Sequence, residues 1–422
     1  AAMAYFREFA EGYYLAGGQQ AVSDRPIVGT MCVMVPDELI LAAGAVPLRL
    51  CCGASACEQA GAEFMPAKSC PLIKATNGYL SVHRGSLPQK ISAIVIPSTC
   101  DQKKKSAELL RAMGYRVILL EMPPTADSEN GRHYWRQSVK GLVPLLEKLT
   151  GQKITRARLQ QAIGLVSAAS QAFREIQQLR KEQPGLLSGS ELLLVNSIYF
   201  IDRIESWTVA VQGLRDELRQ RLDCLDKGSR RLVPHLLLTG SPPIFPNFKV
   251  PLLIEQAGAL IAADELCSSA RLLHDTVVYD EANLYEMIPA VADRYLKSST
   301  CPCLTPNDNR LRKILALVRE NHLDGVVYQA FSGCLPYELE QKGIADSLAE
   351  IGIPMLYVET DYSPEDAGQL TTRVEAFVES IKTRKKAGGA GSHRPQGRMK
   401  KSAPDFARQR ITAINQSPQE WS

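Results

Sequence analysis

The sequence predicts an α/β protein with two parallel-sheet domains separated by a helical insertion. Three observations carry this prediction. Short apolar runs recur at residues 27–30, 45–50, 91–97 and 116–121, and again at 232–239, 260–265, 325–330 and 355–359. Helical patterns lie between them, and the strand signal vanishes from about residue 129 to 226. Strands alternating with helices at this spacing form a parallel sheet covered on both faces.

Residues 1–25 read as an N-terminal helical segment and 26–128 as the first α/β domain. Its helical patterns include 36–43 and 106–113, closed by Gly44 and Gly114, the residue type that helix C-termini favour. Residues 129–228 read as a helical insertion or bridge, with helical periodicity over 141–149, 155–182 and 208–225. Within it Leu159, Ile163 and Val166 recur at intervals of four and three. The second α/β domain spans 229–382, with crossover helices expected at 311–321 and 337–351. From 383 to 422 the chain reads as a basic, disordered tail opening on Arg384-Lys-Lys-Ala-Gly-Gly-Ala-Gly-Ser, with a basic tether to a partner as the other reading.

The 422 residues are 45% hydrophobic and 22% charged, a soluble composition with ample core. No run approaches the roughly 18 apolar residues of a membrane span. Residues 1–18 lack the basic region and apolar block of a secretory signal, so a cytoplasmic protein is expected. The net charge of +4 is uneven: residues 382–422 hold 10 Lys/Arg against 2 acids, leaving 39 basic and 43 acidic side chains elsewhere. The mildly acidic body carries no basic footprint for nucleic acid.

Eleven cysteines stand at positions 32, 51, 52, 57, 70, 100, 224, 267, 301, 303 and 334. An odd count in a long chain of a reducing compartment argues against a disulfide framework. Buried thiols, catalysis and metal ligation remain. Cys100, Cys267 and Cys334 each follow an expected strand, and the carboxyl ends of strands in a doubly wound sheet form the ligand crevice. Cys301-Pro-Cys303 offers two thiolates close together, and Pro71 keeps Cys70 out of a regular helix interior. Thiolates without neighbouring histidines suit iron–sulfur clusters or zinc. There is no Cys-x2-Cys pair for a zinc ribbon, and no ferredoxin spacing.

Seven segments in order resemble the 2-hydroxyacyl-CoA dehydratase and benzoyl-CoA reductase superfamily, and its double-cubane cluster branch most of all. They are Pro36-Asp-Glu-Leu-Ile-Leu-Ala-Ala-Gly-Ala-Val-Pro, Cys70-Pro-Leu-Ile-Lys, Thr99-Cys-Asp-Gln-Lys-Lys-Lys, Asp264-Glu-Leu-Cys, Cys301-Pro-Cys-Leu-Thr-Pro-Asn, Asp324-Gly-Val-Val and the stretch from Glu359-Thr-Asp-Tyr-Ser-Pro. The resemblance implies two flavodoxin-like, doubly wound domains with cluster ligands at their junction. It implies Cys70, Cys100 and Cys334 as one ligand set. It further implies an [8Fe–9S] double cubane completed by Cys267, Cys301 and Cys303, with Cys32 in reserve. Cys51, Cys52, Cys57 and Cys224 are left as core or surface thiols. Relatives of this branch often carry Cys-His at Cys334-Leu335 and Gly-Cys-Pro at Gly240-Ser241-Pro242, so this chain departs at both places.

On this resemblance the chain is expected to be an anaerobic iron–sulfur oxidoreductase acting on a small molecule. The resemblance also implies a homodimer and a separate dimeric iron–sulfur ATPase that delivers electrons. The chain itself lacks the Gly-x4-Gly-Lys-[Ser/Thr] phosphate loop. Lys103, Lys104 and Lys105 are candidates for offsetting cluster charge, with a solvated helix face as the other reading. The catalytic residues are unknown, with Tyr337, Asp101 and Asp361 as candidate proton donors. Rival readings are a 2-hydroxyacyl-CoA dehydratase subunit with a single [4Fe–4S] cluster, a non-catalytic electron carrier, and a metal-free scaffold.

Overall fold

The structure, a computed structural model, describes residues 2–15, 24–83, 91–224, 233–273, 275–297 and 299–389. The chain divides into two units, Ala1–Thr383 and Arg384–Ser422, and the site lies wholly in the first.

After α1 (Ala2–Leu15) the elements run β1 (Ile27–Thr30), α2 (Asp37–Ala42), β2 (Val46–Arg49), α3 (Ser55–Ala62), α4 (Pro71–Val82), β3 (Ile91–Pro97), α5 (Asp101–Ala112) and β4 (Val117–Leu120). Four helices follow: α6 (Glu129–Thr150), α7 (Arg156–Glu182), α8 (Gly189–Tyr199) and α9 (Ile204–Cys224). The chain then forms β5 (His235–Gly240), α10 (Lys249–Gln256), β6 (Leu260–Glu265), α11 (Leu284–Lys297), α12 (Asp308–Glu320), β7 (Gly325–Phe331), α13 (Leu335–Glu350), β8 (Met355–Thr360) and α14 (Ala367–Gly389).

The strands make two four-stranded parallel sheets in the same order, β2-β1-β3-β4 and β6-β5-β7-β8. This is the flavodoxin-like winding, and it has one consequence for function. The chain reverses direction across each sheet between its first and third strands, so a crevice opens at the carboxyl ends of β1 and β3, and of β5 and β7. Central strands are buried on both faces, which is why they read as unbroken apolar runs: all seven residues of β7 are buried.

The helices between the sheets have physical stops and starts. Ser128 and Thr155 cap α6 and α7 through their hydroxyls, Ser188 and Glu191 form a capping box on α8, and Gly151 ends α6 at φ 70°. Trp135 of α6 is fully buried and donates from Nε1 to the carbonyl of Ala292 in α11 at 2.7 Å. Trp207, Val211, Leu214 and Leu218 of α9 pack with Phe173 and Ile176 of α7 and with Met3 and Phe6 of α1. Residues 383–389, expected as the start of the tail, belong to α14. α14 runs on to Gly389 because Lys385, Lys386 and Ala387 are good helix formers; residues 390–422 lie outside the described ones.

Gly240, the last residue of β5, sits at the second crevice with φ 109°, and a Cβ there would lie 1.8 Å from the carbonyl oxygen of Gln329 on β7. That carbonyl also accepts the Ser241 N–H at 2.7 Å. Gly240→Ala is therefore expected to destabilise the fold by at least about 2 kcal/mol, read as a lower denaturant midpoint.

Candidate metal centre

The crevices of the two sheets open into one cavity of about 410 Å³. Eight cysteines line it: Cys32, Cys51, Cys70, Cys100, Cys267, Cys301, Cys303 and Cys334. Topology delivers most of them. Cys32, Cys51 and Cys267 stand two residues past β1, β2 and β6, while Cys100 and Cys334 stand three past β3 and β7. β2 and β6 hold the same place in the two sheets, as do β3 and β7. Cys51 is thus the topological counterpart of Cys267, and Cys100 of Cys334.

All six cysteines of the expected ligand set line this cavity, as does the reserve, Cys32. Cys51, read from sequence as a core or surface thiol, lines it too. Cys52, Cys57 and Cys224 do not. Among the described residues no three His, Cys, Asp or Glu side chains close on one point as a single ion would require. The thiols are instead spread around the wall.

Three of these cysteines share a local design. Cys70, Cys100 and Cys334 are the N-cap residues of α4, α5 and α13, with Pro71 and Pro336 in the first turns of α4 and α13. The free amides of a helix N-terminus favour negative charge beside them. The N–H groups of Ile73 and Leu72 stabilise a thiolate at Cys70, that of Lys103 at Cys100, and that of Tyr337 at Cys334.

The sulfurs also act on one another. The Cys334 thiol donates to Cys70, which holds Cys70 below the usual thiol range in spite of burial and pushes Cys334 up. In the same way Cys303 donates to Cys301, bringing Cys301 down to about 6 and raising Cys303. Burial raises Cys267 to about 12 against the pull of Arg271, and raises Cys100 against the pull of Lys103.

Two cations face these groups. Burial works against the charge on Lys103, yet Cys32, Cys100, Cys303 and Cys301 around it hold its pKa well above the ordinary value. Its neighbours point away: Lys104 pairs with Asp101 and Lys105 with Glu108, both on the exposed face of α5. Arg271 is fixed by Glu265, with Nη2 to Oε2 at 2.8 Å, and reaches the phenol oxygen of Tyr337 at 3.3 Å. A second buried network backs Cys32, whose carbonyl accepts from Arg49. Arg49 pairs with Asp37 at 3.2 Å, and Tyr295 donates to Glu38 at 2.8 Å.

The three candidate proton donors differ in placement. Tyr337 is buried on the cavity wall, and burial keeps its phenol protonated well past the ordinary range. Asp101 lies at the rim with its carboxylate in solvent. Asp361 is not part of the lining; its Oδ1 accepts the Ser363 N–H at 2.8 Å.

Both departures from the branch pattern fall on the lining. Ser241, fully buried, accepts the Phe331 N–H at 3.0 Å and donates its hydroxyl proton to Cys334. Leu335 puts an apolar side chain at the mouth, 59% exposed. Two further buried hydroxyl oxygens on the lining, Thr99 Oγ1 and Ser268 Oγ, have no protein partner. Each belongs to a residue next to a cavity cysteine, so the donor set fits a large, soft, anionic core that would accept from them.

Two flavodoxin-like sheets facing one thiol-lined cavity define the class of protein. Residues 32–381 match the family described as 2-hydroxyglutaryl-CoA dehydratase, D-component, and the chain belongs to that family of dehydratase and reductase subunits. It is 31% identical over 365 residues to YjiM of Escherichia coli (strain K12), which bears a provisional dehydratase-subunit name, covering 84% of this chain and 91% of that one. It is 23% identical to the (R)-phenyllactyl-CoA dehydratase beta subunit of Clostridium sporogenes over 84% and 91% of the two chains. It is 24% identical to a benzoyl-CoA reductase subunit of Thauera aromatica over 86% and 93%. Among the described residues no helix is long and apolar enough to cross a membrane.

Proposed function

We propose that the cavity holds an [8Fe–9S] double cubane and that the protein reduces a small molecule there. Electrons would come from a separate dimeric iron–sulfur ATPase, and the protein would work in the cytoplasm as a homodimer. One observation carries the reading: eight thiols from both sheets line a single cavity, two more than the six such a core needs. Cys70, Cys100 and Cys334 would hold one cubane and Cys267, Cys301 and Cys303 the other, with Cys32 in reserve.

Such a group, when bound, supplies one-electron transfer at low potential. The chain's own residues do the rest. The amides at the N-termini of α4, α5 and α13, with Lys103 and Arg271, offset the thiolate charge. Ser241 orients the sulfur of Cys334. Tyr337 holds a phenol proton on the wall, near Arg271, and is the proton donor this reading favours. Met31, Phe200, Ile244 and Leu272 form the apolar part of the lining, suited to a small substrate and to excluding water.

A second reading has a specific observation in its favour. Only Cys70, Cys100 and Cys334 of the six sit at helix N-caps, and three such ligands suffice for the single [4Fe–4S] cluster of a 2-hydroxyacyl-CoA dehydratase subunit. Iron and acid-labile sulfide counting on protein purified without oxygen separates the two. About eight irons per chain is the expected result, and about four would overturn it in favour of the dehydratase.

A further inference from the structure

A third thiol pair lies outside the cavity. Cys52, in the loop after β2, is 5% exposed, and Cys57, in the first turn of α3, is half-buried. Their side chains hydrogen-bond, with Cys52 as the donor, and neither lines the cavity. The loop that brings them together is held at several points. The Ala54 N–H faces Cys52 Sγ at 3.5 Å, and the Ala54 carbonyl accepts the N–H groups of Cys57 and Glu58 at 3.1 Å. Between them, Gly53 packs so closely that a Cβ would fall 1.9 Å from the carbonyl oxygen of Ile244.

Two sulfurs in contact, one reachable and one enclosed, are the arrangement for stepwise thiol–disulfide exchange. We propose that Cys52 and Cys57 are a redox-active dithiol that a small disulfide such as oxidised glutathione converts to an intramolecular disulfide. Cys57, the accessible member, attacks a glutathione sulfur as its thiolate, releasing one glutathione thiolate and leaving a mixed disulfide. Cys52, already against it, then attacks the Cys57 sulfur and releases the second glutathione. Two thiols are oxidised, two electrons and two protons pass to the reagent, and one S–S bond replaces another. The hydrogen bond that Cys52 donates to the Cys57 sulfur favours the Cys57 thiolate and supports this division of roles. The site does not depend on what the cavity holds. Its closure would tie the loop carrying Cys51, a cavity-wall residue, to the start of α3.

The full chain is incubated anaerobically with oxidised glutathione, quenched in acid, alkylated and mapped by peptide mass. The expected product is a 52–57 segment two hydrogens lighter, closed between Cys52 and Cys57. Cys52→Ser should trap glutathione on Cys57, while Cys57→Ser should leave Cys52 unmodified. The proposal is overturned if both thiols stay free while the exposed Cys224 takes up glutathione. A stable mixed disulfide on Cys57 in the unaltered chain, or a bond from either residue to Cys51, overturns it equally. The mapping of the unaltered chain decides the matter even where a variant misfolds.

Discussion

Serine in place of Cys267 is expected to strip iron from the protein as severely as serine in place of Cys70. Each variant should lose at least about half of the bound iron and sulfide, because a hard oxygen is a poor substitute for a thiolate on a soft metal. The reasoning rests on where Cys267 sits. It follows β6 into the cavity, and desolvation raises its thiol to about 12 although Arg271 and Lys103 both favour the thiolate. Ligation would displace the proton that burial retains, and serine would leave the second cubane with two of its three thiolates. On the single-cluster reading Cys267 is a bystander, so Cys70→Ser would lose iron and Cys267→Ser would keep it. Cys224→Ser, altering an exposed thiol remote from the lining, should match the unaltered chain in both cases. Iron, sulfide and visible absorbance, measured together on anaerobic protein, read all three variants.

The strands were legible because a parallel sheet covered on both faces writes itself as short apolar runs. The expected limits 91–97 and 260–265 coincide with β3 and β6. Helix starts were less legible. α5 begins at Asp101 rather than near 106, because its first turn, Asp-Gln-Lys-Lys, faces solvent and the cavity and shows no apolar period. α6 begins at Glu129 rather than 141, its first half marked only by Trp135 and Val139 at a spacing of four. α8 escapes the periodicity test altogether: it is buried nearly all round, so no polar face marks its turn.

For the site, chain order hid what topology supplies. Cys51 beside Cys52 looks like an ordinary core doublet. Only the shared strand order, which gives β2 and β6 the same place in their sheets, makes Cys51 the counterpart of Cys267 and accounts for its place on the cavity lining, where Cys52 is absent. The signal was present in the sequence as a repeated offset of two residues past a strand, at Cys32, Cys51 and Cys267, but it has meaning only once strand ends are fixed.

Glu265→Ala is expected to cost about 3–5 kcal/mol of folding stability, the range for removing one partner of a buried ion pair. Glu265 ends β6 and is 1% exposed. Its Oε1 accepts from Thr300 Oγ1 at 2.6 Å and pairs with Arg271 Nε at 2.5 Å. Its Oε2 accepts from Thr239 Oγ1 at 2.9 Å and pairs with Arg310 Nη1 at 2.6 Å. Alanine leaves the Arg271 guanidinium without its carboxylate, whereas Arg310 retains Glu340 at 2.8 Å, so the loss falls chiefly on the side facing the cavity. Glu265→Gln keeps the shape and can still accept from the hydroxyls, and should cost less. Denaturant unfolding of the two variants beside the unaltered chain gives the ranking; a Glu265→Gln midpoint equal to that of the unaltered chain would mean that the charge contributes nothing. The same carboxylate also organises the site. Thr300 precedes Cys301, and Arg271 stands against Cys267 and Tyr337. Loosening Glu265 therefore frees two thiol-bearing loops together, and iron content should fall in Glu265→Ala even under conditions where the chain remains folded.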